Sequence, residues 1–327
     1  MNAITPRSAV AHGPARDVVP LNAGPVAVQP DQSVPVDRHI LPWLVDGCGL
    51  SQLELIYDSK QKALWQYLNP THRPSSTPAL LEDMLRVFDR IDRHLGHPAA
   101  AEVPLRYLVT ASSLPGIFNL GGDLPRIASL IRRQDRAGLQ AYAHLCIDVQ
   151  FARAMKRGQT YVSITLVQGD ALGGGFEAVL ANDIIVAERG AKFGMPEILF
   201  NMFPGMGALT FLTRRVGQRL AEEIVFSGNI YDAETLHGMG LVDILAEPGE
   251  GEEAVSQFIA RRDRQFHARA AVYAARNTIQ PVTHEELVDI TEMWVDIALR
   301  TDDRDIRKME RLATAQDKRI DDMQIGA

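Results

Sequence analysis

Between Leu53 and Leu68 the sequence LELIYDSKQKALWQYL alternates apolar and polar positions and carries β-branched and aromatic side chains. That pattern predicts two short strands or a hairpin. The period then changes. Leu81, Met84, Leu85, Phe88, Ile91 and Leu95 recur at helical spacing and form one apolar stripe. Pro78 sits where a first-turn proline is tolerated, because its missing N–H has no intrahelical partner there. Residues 105–112 read as a strand, 114–125 as a loop, and 124–157 as mainly helical with Gly158 as the stop. A buried-looking strand covers 160–169 and runs into a glycine-rich turn that opens a helix. Residues 183–188 predict the next strand and 207–226 more helix. Asp232 suits an N-cap, LVDIL (241–245) a strand, and the chain after about 253 is helical throughout. Thr283 and Glu286 have capping-box spacing. Strand pairs alternating with helices, then a helical C-terminal third, make an α/β or α+β chain.

Prolines at 6, 14, 20, 25, 30 and 35 break any periodicity before residue 38, so residues 1–37 are expected to be a flexible tail. The expected organisation is that tail, a core over 38–252 and a helical region over 253–327. With 327 residues, 46% hydrophobic and 23% charged, the chain is not collagen-like or wholly disordered, and can bury a sizeable core. A net charge of −7 argues against a nucleic-acid binder, which needs a basic face to displace counterions. Cys48 and Cys146 are far apart and form no CxxC, so the expectation is two reduced thiols in a cytoplasmic protein. No signal-peptide core is visible at the N-terminus, and no apolar run reaches membrane-span length. His284-Glu285 begins like HExxH, but Val288 stands where the second histidine is required. No metal or cofactor is expected.

The segment Gly169–Glu177 (GDALGGGFE) places three glycines between an apolar strand and a helix. Glycines there free the backbone and bare the amides that open the helix, which have no intrahelical partner and favour an anion. The spacing fits neither the dinucleotide fingerprint nor the phosphate-binding loop that ends in Lys-Ser/Thr. On the glycines alone, a tight strand–helix turn explains them equally well. Phe118–Leu124 (FNLGGDL) repeats the theme after another strand, and two such loops could aim two N–H donors at one oxygen. Glu177 and Glu197 lie twenty positions apart in apolar surroundings. A carboxylate in a first turn is often only a partner for the helix dipole. Two carboxylates in an apolar site, however, push each other's pKa values apart into an acid and a base.

Together with Lys192–Phe200 (KFGMPEILF), Pro204-Gly-Met-Gly and the Ala233–Val242 segment, these motifs resemble the enoyl-CoA hydratase/isomerase (crotonase) superfamily over roughly residues 50–250. Within it, the wording of 169–208 and of the FNLGGDL loop is similar to the diffusible signal factor synthases. The resemblance implies a crotonase-like spiral of ββα units with a helical C-terminal trimerisation region, assembled as a homotrimer or hexamer. It implies Glu177 and Glu197 as the catalytic pair, and Gly122 and Gly174 as the oxyanion-hole amides. For this branch it also implies a 3-hydroxyacyl thioester on acyl carrier protein (or CoA), dehydrated to the cis-2-enoyl thioester and then hydrolysed to a free fatty acid. An ordinary enoyl-CoA hydratase of β-oxidation, or a non-catalytic protein of the same fold, remain the alternatives.

Leu172, Met206 and Trp294 are candidate walls for the acyl chain, although such residues are also ordinary core. Arg126, Arg132, Arg133 and Arg136 crowd one stretch. They read either as a solvated face or as a dock for an acidic carrier protein.

Overall fold

The computed structural model describes residues 38–39, 44, 49–97 and 104–325. The expected tail at 1–37 and Cys48 lie outside the described residues.

Strand β1 (Arg38–His39) edges a hairpin of β2 (Leu53–Asp58) and β3 (Ala63–Leu68), paired antiparallel with Leu53 opposite Leu68. Helix α1 (Pro78–Leu95) starts as its sequence predicts, with the Thr77 hydroxyl accepting from the Leu80 amide and Leu80, Leu81, Met84, Val87, Phe88 and Ile91 buried. Then come β4 (Tyr107–Ser112), β5 (Ile117–Asn119), α2 (Leu124–Arg132), α3 (Arg136–Met155), β6 (Val162–Val167), β7 (Asp170–Leu172), α4 (Gly174–Leu180), β8 (Ile184–Glu188) and β9 (Lys192–Gly194). The chain continues with α5 (Ala208–Val216), α6 (Gln218–Ser227), β10 (Ile230–Asp232), α7 (Ala233–Gly238) and β11 (Ile244–Ala246). It closes with α8 (Gly251–Arg262), α9 (Phe266–Ile279), α10 (His284–Ala298) and α11 (Asp303–Ile325).

The strands sort into two sheets. A larger one runs β1-β2-β3-β4-β6-β8-β11 and is parallel from β3 onward; a smaller one runs β10-β9-β7-β5. Three long strands of the first sheet are each followed by a short strand of the second: β4 by β5, β6 by β7, β8 by β9. The path is therefore a spiral of ββα turns. The long strands β3, β4, β6 and β8 are buried along their whole length. They read as near-continuous apolar runs because both faces of this sheet are covered. One face packs on the helices α1 and α3, and the other on Val255, Ile259 and Phe266 of α8 and α9.

Residues 117–119, read as loop, pair with β7; three residues are too few for a periodic signal. The mainly helical stretch over 124–157 holds two α-helices. Asp135 caps the second, accepting from the Gly138 amide, and Gln134 before it has φ 52°. That α-helix ends at left-handed Lys156, and a 3₁₀ turn carries the stretch to Gly158. The buried Lys156 ammonium is held there by Asp183 and faces the Tyr161 ring. The helical sequence of 207–226 forms two helices separated by Gly217 (φ 81°). The capping box at Thr283 is half formed. Its hydroxyl accepts from the Glu286 amide, but the Glu286 carboxylate turns away to Thr210 and Arg214.

Candidate active site

Three neighbouring parallel strands of the small sheet, β5, β7 and β9, end side by side, and the segment after each supplies one part of a cleft. After β5 comes the Leu120–Asp123 loop. Its hydrogen bonds are nearly all spent: Leu120 donates to Pro74, Gly121 to the Asn119 side chain, Asp123 to the Tyr142 hydroxyl, and the Gly121 carbonyl accepts from Ser76. After β7 the chain turns through Gly173 (φ 50°, ψ −127°) into α4, so the Gly174 amide opens a helix. Among the described residues neither the Gly122 nor the Gly174 amide has a hydrogen-bond partner. Both line one cavity, and a Cβ on Gly174 would stand 3.5 Å from the Gly122 nitrogen. Two unsatisfied N–H groups this close suit an oxygen that becomes negative; one such donor is typically worth about 10²–10³ in rate.

Glu177, in the first turn of α4, is buried. Its Oε1 accepts from the amides of Met206 (2.8 Å) and Ala208 (2.9 Å), the latter opening α5. That leaves Oε2 for chemistry. Burial raises its pKa and the Glu197 charge raises it further, against the opposing pull of the two amides. Glu197 lies in the turn of 3₁₀ helix after β9. Its Oε2 is buried without a hydrogen-bond partner, and burial raises its pKa also. Gly173 makes room for it, since a Cβ there would come 2.6 Å from the Glu197 Oε1. Such a pair holds on to a proton toward neutral pH and titrates as a unit. The cleft thus offers a carboxylate, a carboxylic acid and a two-amide oxygen site within one cavity of about 50 Å³.

Of the proposed acyl walls, Met206 and Trp294 line this cavity; Leu172 does not. Its backbone pairs with β9 and its carbonyl packs under Gly121. Trp294 comes from α10, where it lies against Gly205, and Met309 of α11 joins it. Tyr142, Ala143 and Cys146 of α3 complete the inner wall; Cys146 is a buried free thiol.

The arginines divide. Arg132 pairs with Glu310 and Asp303 of α11, and Arg136 with Asp296 and Glu292 of α10. Their charge is thus balanced within the chain and fastens the C-terminal helices that close the cavity. Arg126 and Arg133 are exposed. An Arg132→Ala variant should be cleaved earlier within α11 in limited proteolysis at low salt, and like wild type at high salt, since exposed pairs are screened. Equal cleavage at both salts would remove this role.

Sequence reasoning missed the Met206 and Ala208 amides, which are legible only as PGMGA, and the α3 wall, which reads as an ordinary core stripe. Nothing in the sequence separates a helix face that packs on a sheet from one that packs on a cavity.

Comparison with known proteins agrees with this architecture. The family model described as enoyl-CoA hydratase/isomerase matches residues 66–299. The Arabidopsis thaliana protein named probable enoyl-CoA hydratase 2, mitochondrial, is 26% identical over 251 residues, which is 76% of this chain and 77% of that protein. The enoyl-CoA hydratase structure from Bacillus halodurans superposes with a TM-score of 0.65 at 19% identity, over 80% of this chain and all of that one. DspI of Pseudomonas aeruginosa superposes at 0.54 with 24% identity, over 70% of this chain and 80% of that one. With the family match spanning most of the spiral and running through α10, the chain belongs to the enoyl-CoA hydratase/isomerase family.

Proposed function

We propose that the protein is a diffusible signal factor synthase, which dehydrates a 3-hydroxyacyl thioester to the cis-2-enoyl thioester and then hydrolyses it to the free unsaturated acid. The observation that carries the reading is the buried Glu177 and the half-buried Glu197 beside the free Gly122 and Gly174 amides in one cavity. It is joined by the similarity of the FNLGGDL and GDALGGGFEAVL segments to that branch. A thioester α-proton is weakly acidic, and removing it places charge on the carbonyl oxygen. The ionised glutamate takes that proton while the two amides hold the enolate oxygen. The protonated glutamate gives its proton to the 3-hydroxyl, which leaves as water. Hydrolysis reuses the same parts. A glutamate takes a proton from a second water as it attacks the carbonyl, and the amides hold the tetrahedral oxyanion. Collapse then expels the carrier thiol, which receives the proton.

An acyl carrier protein or CoA carries the acyl group in this reading, and the protein works as a trimer or a pair of trimers. No helix among the described residues is long and apolar enough to cross a membrane.

The test is mass spectrometry of the acids released when the purified protein is given 3-hydroxyacyl-carrier thioesters. A free cis-2-enoic acid is expected. An enoyl thioester that accumulates with no acid leaves an ordinary hydratase as the answer, and no reaction with any thioester leaves the non-catalytic alternative.

A further inference from the structure

The Gly122 amide can serve the site only if the peptides on either side of it are held, because glycine has no Cβ to restrict its torsions. Before Gly122 the chain is held densely. The Leu120 amide donates to the Pro74 carbonyl, and the Leu120 carbonyl accepts from Gln316 Nε2 of α11. The Gly121 amide donates to the Asn119 side chain, and the Gly121 carbonyl accepts from the Ser76 amide at 2.7 Å. Ser76 and Gly122 face each other as a bridge of parallel type. Beyond Gly122 the chain enters the cap of α2, where the Asp123 side chain accepts from the Arg126 amide. The Asp123 amide itself is held by a single side chain, the Tyr142 hydroxyl of α3.

That hydroxyl stands where the second rung of the bridge belongs. It accepts from the Asp123 amide at 2.8 Å and donates to the Ser76 carbonyl at 2.8 Å. A phenol has one proton to give, and of these two partners only the carbonyl can accept it. Tyr142 also lines the site cavity, but with its proton committed to Ser76 it is not an acid for the substrate. It is 4% exposed. Burial pushes its pKa well above the ordinary value, so the hydroxyl keeps the proton that it gives to Ser76. A Cβ on Gly122 would stand 3.5 Å from the hydroxyl oxygen, which places this group beside the very glycine whose amide faces the cavity.

We infer that Tyr142 is a positioning residue of the oxygen site: its hydroxyl fixes the peptide that follows Gly122 and thereby aims the Gly122 N–H at the thioester oxygen. Without the hydroxyl, the Ser76 carbonyl and the Asp123 amide must either close on each other or stay unpaired, and buried backbone groups are rarely left unpaired. Closing them turns the loop about Gly122. The inference rests on the reading of the Gly122 and Gly174 amides as the site for that oxygen.

The test uses the pantetheine thioester of para-dimethylaminocinnamic acid, which keeps the part common to CoA and a carrier protein. Its absorption band moves to the red when the carbonyl oxygen accepts strong hydrogen bonds, because the excited state carries more negative charge there. The wild type should bind it with the band moved to the red. Tyr142→Phe should bind it about as tightly with most of that shift gone. The same variant should dehydrate a 3-hydroxyacyl thioester with kcat lower by about 10–10² and KM little changed, a part of the 10²–10³ that one whole donor is typically worth. Tyr142→Leu gives the same comparison if Tyr142→Phe does not fold. A role in folding alone would lower the melting temperature and the bound fraction but leave the band of the bound probe at its wild-type position. That result overturns the inference and leaves the two-amide site standing. A wild type that does not move the band removes the two-amide site itself, and the inference with it.

Discussion

Glu197→Gln should fold and lose turnover of a 3-hydroxyacyl thioester by about 10²–10⁴, the usual contribution of a positioned acid or base. The same variant should be more stable than wild type at alkaline pH. Burial raises the Glu197 carboxyl above its ordinary value. As pH rises past that ordinary value, about 4.3, the unfolded chain gives up its proton while the folded one keeps it. The folded state then binds more protons, so stability falls with rising pH until the raised value is passed. Glutamine removes the titrating group and with it this slope. Thermal melts of both proteins at mildly acid and at alkaline pH, together with steady-state rates, measure both effects. A variant that melts below wild type at alkaline pH would show that the Glu197 charge is supported in the folded protein. Unchanged turnover would remove Glu197 from the reaction.

The second large effect is expected at Gly175. A Cβ there would lie 2.1 Å from the Asn119 carbonyl oxygen and 2.8 Å from its carbon, both backbone atoms at the root of the first loop. Neither can swing aside, so α4 and that loop must move apart. Overpacking of this kind costs typically about 1–3 kcal/mol and sometimes more. The movement would also separate the Gly122 and Gly174 amides, with loss of about 10²–10³ in rate for one misplaced donor. Gly174→Ala provides the contrast. Its Cβ would meet the Met206 sulfur at 2.4 Å, the far part of a flexible side chain, so the fold should survive. Circular dichroism melts and single-turnover dehydration separate the two variants. A Gly175→Ala protein as stable and active as wild type would dispose of the idea that contact between the two loops sets the hole.

Much of the site was legible in the sequence because its parts are local. Glycines at a strand–helix turn, a glutamate in the first turn of the helix and a second glutamate after a short strand are each encoded within a few positions. The parallel order of β5, β7 and β9 brings them together, and that order follows from the alternation of strands and helices. What was not legible is what depends on distant surfaces. Arg132 and Arg136 read as a free basic face because their partners, Glu310, Asp303, Asp296 and Glu292, lie more than 150 positions away. Leu172 adjoins the triplet glycines but does not line the cavity. Alternation in a strand as short as β7 cannot show which way one side chain points.

Met206 occupies two places at once. Its amide holds the Glu177 carboxylate, and its side chain lines the cavity. Anything that presses on the side chain therefore tugs on that carboxylate. An acyl chain of unsuitable length need not be refused at the door. It can enter, bind well and still react slowly, because the wall that it displaces is attached to one of the two carboxylates. Discrimination among chains would then appear in kcat more than in KM, and the pocket would act as a gauge that reports chain length directly to the reacting carbon.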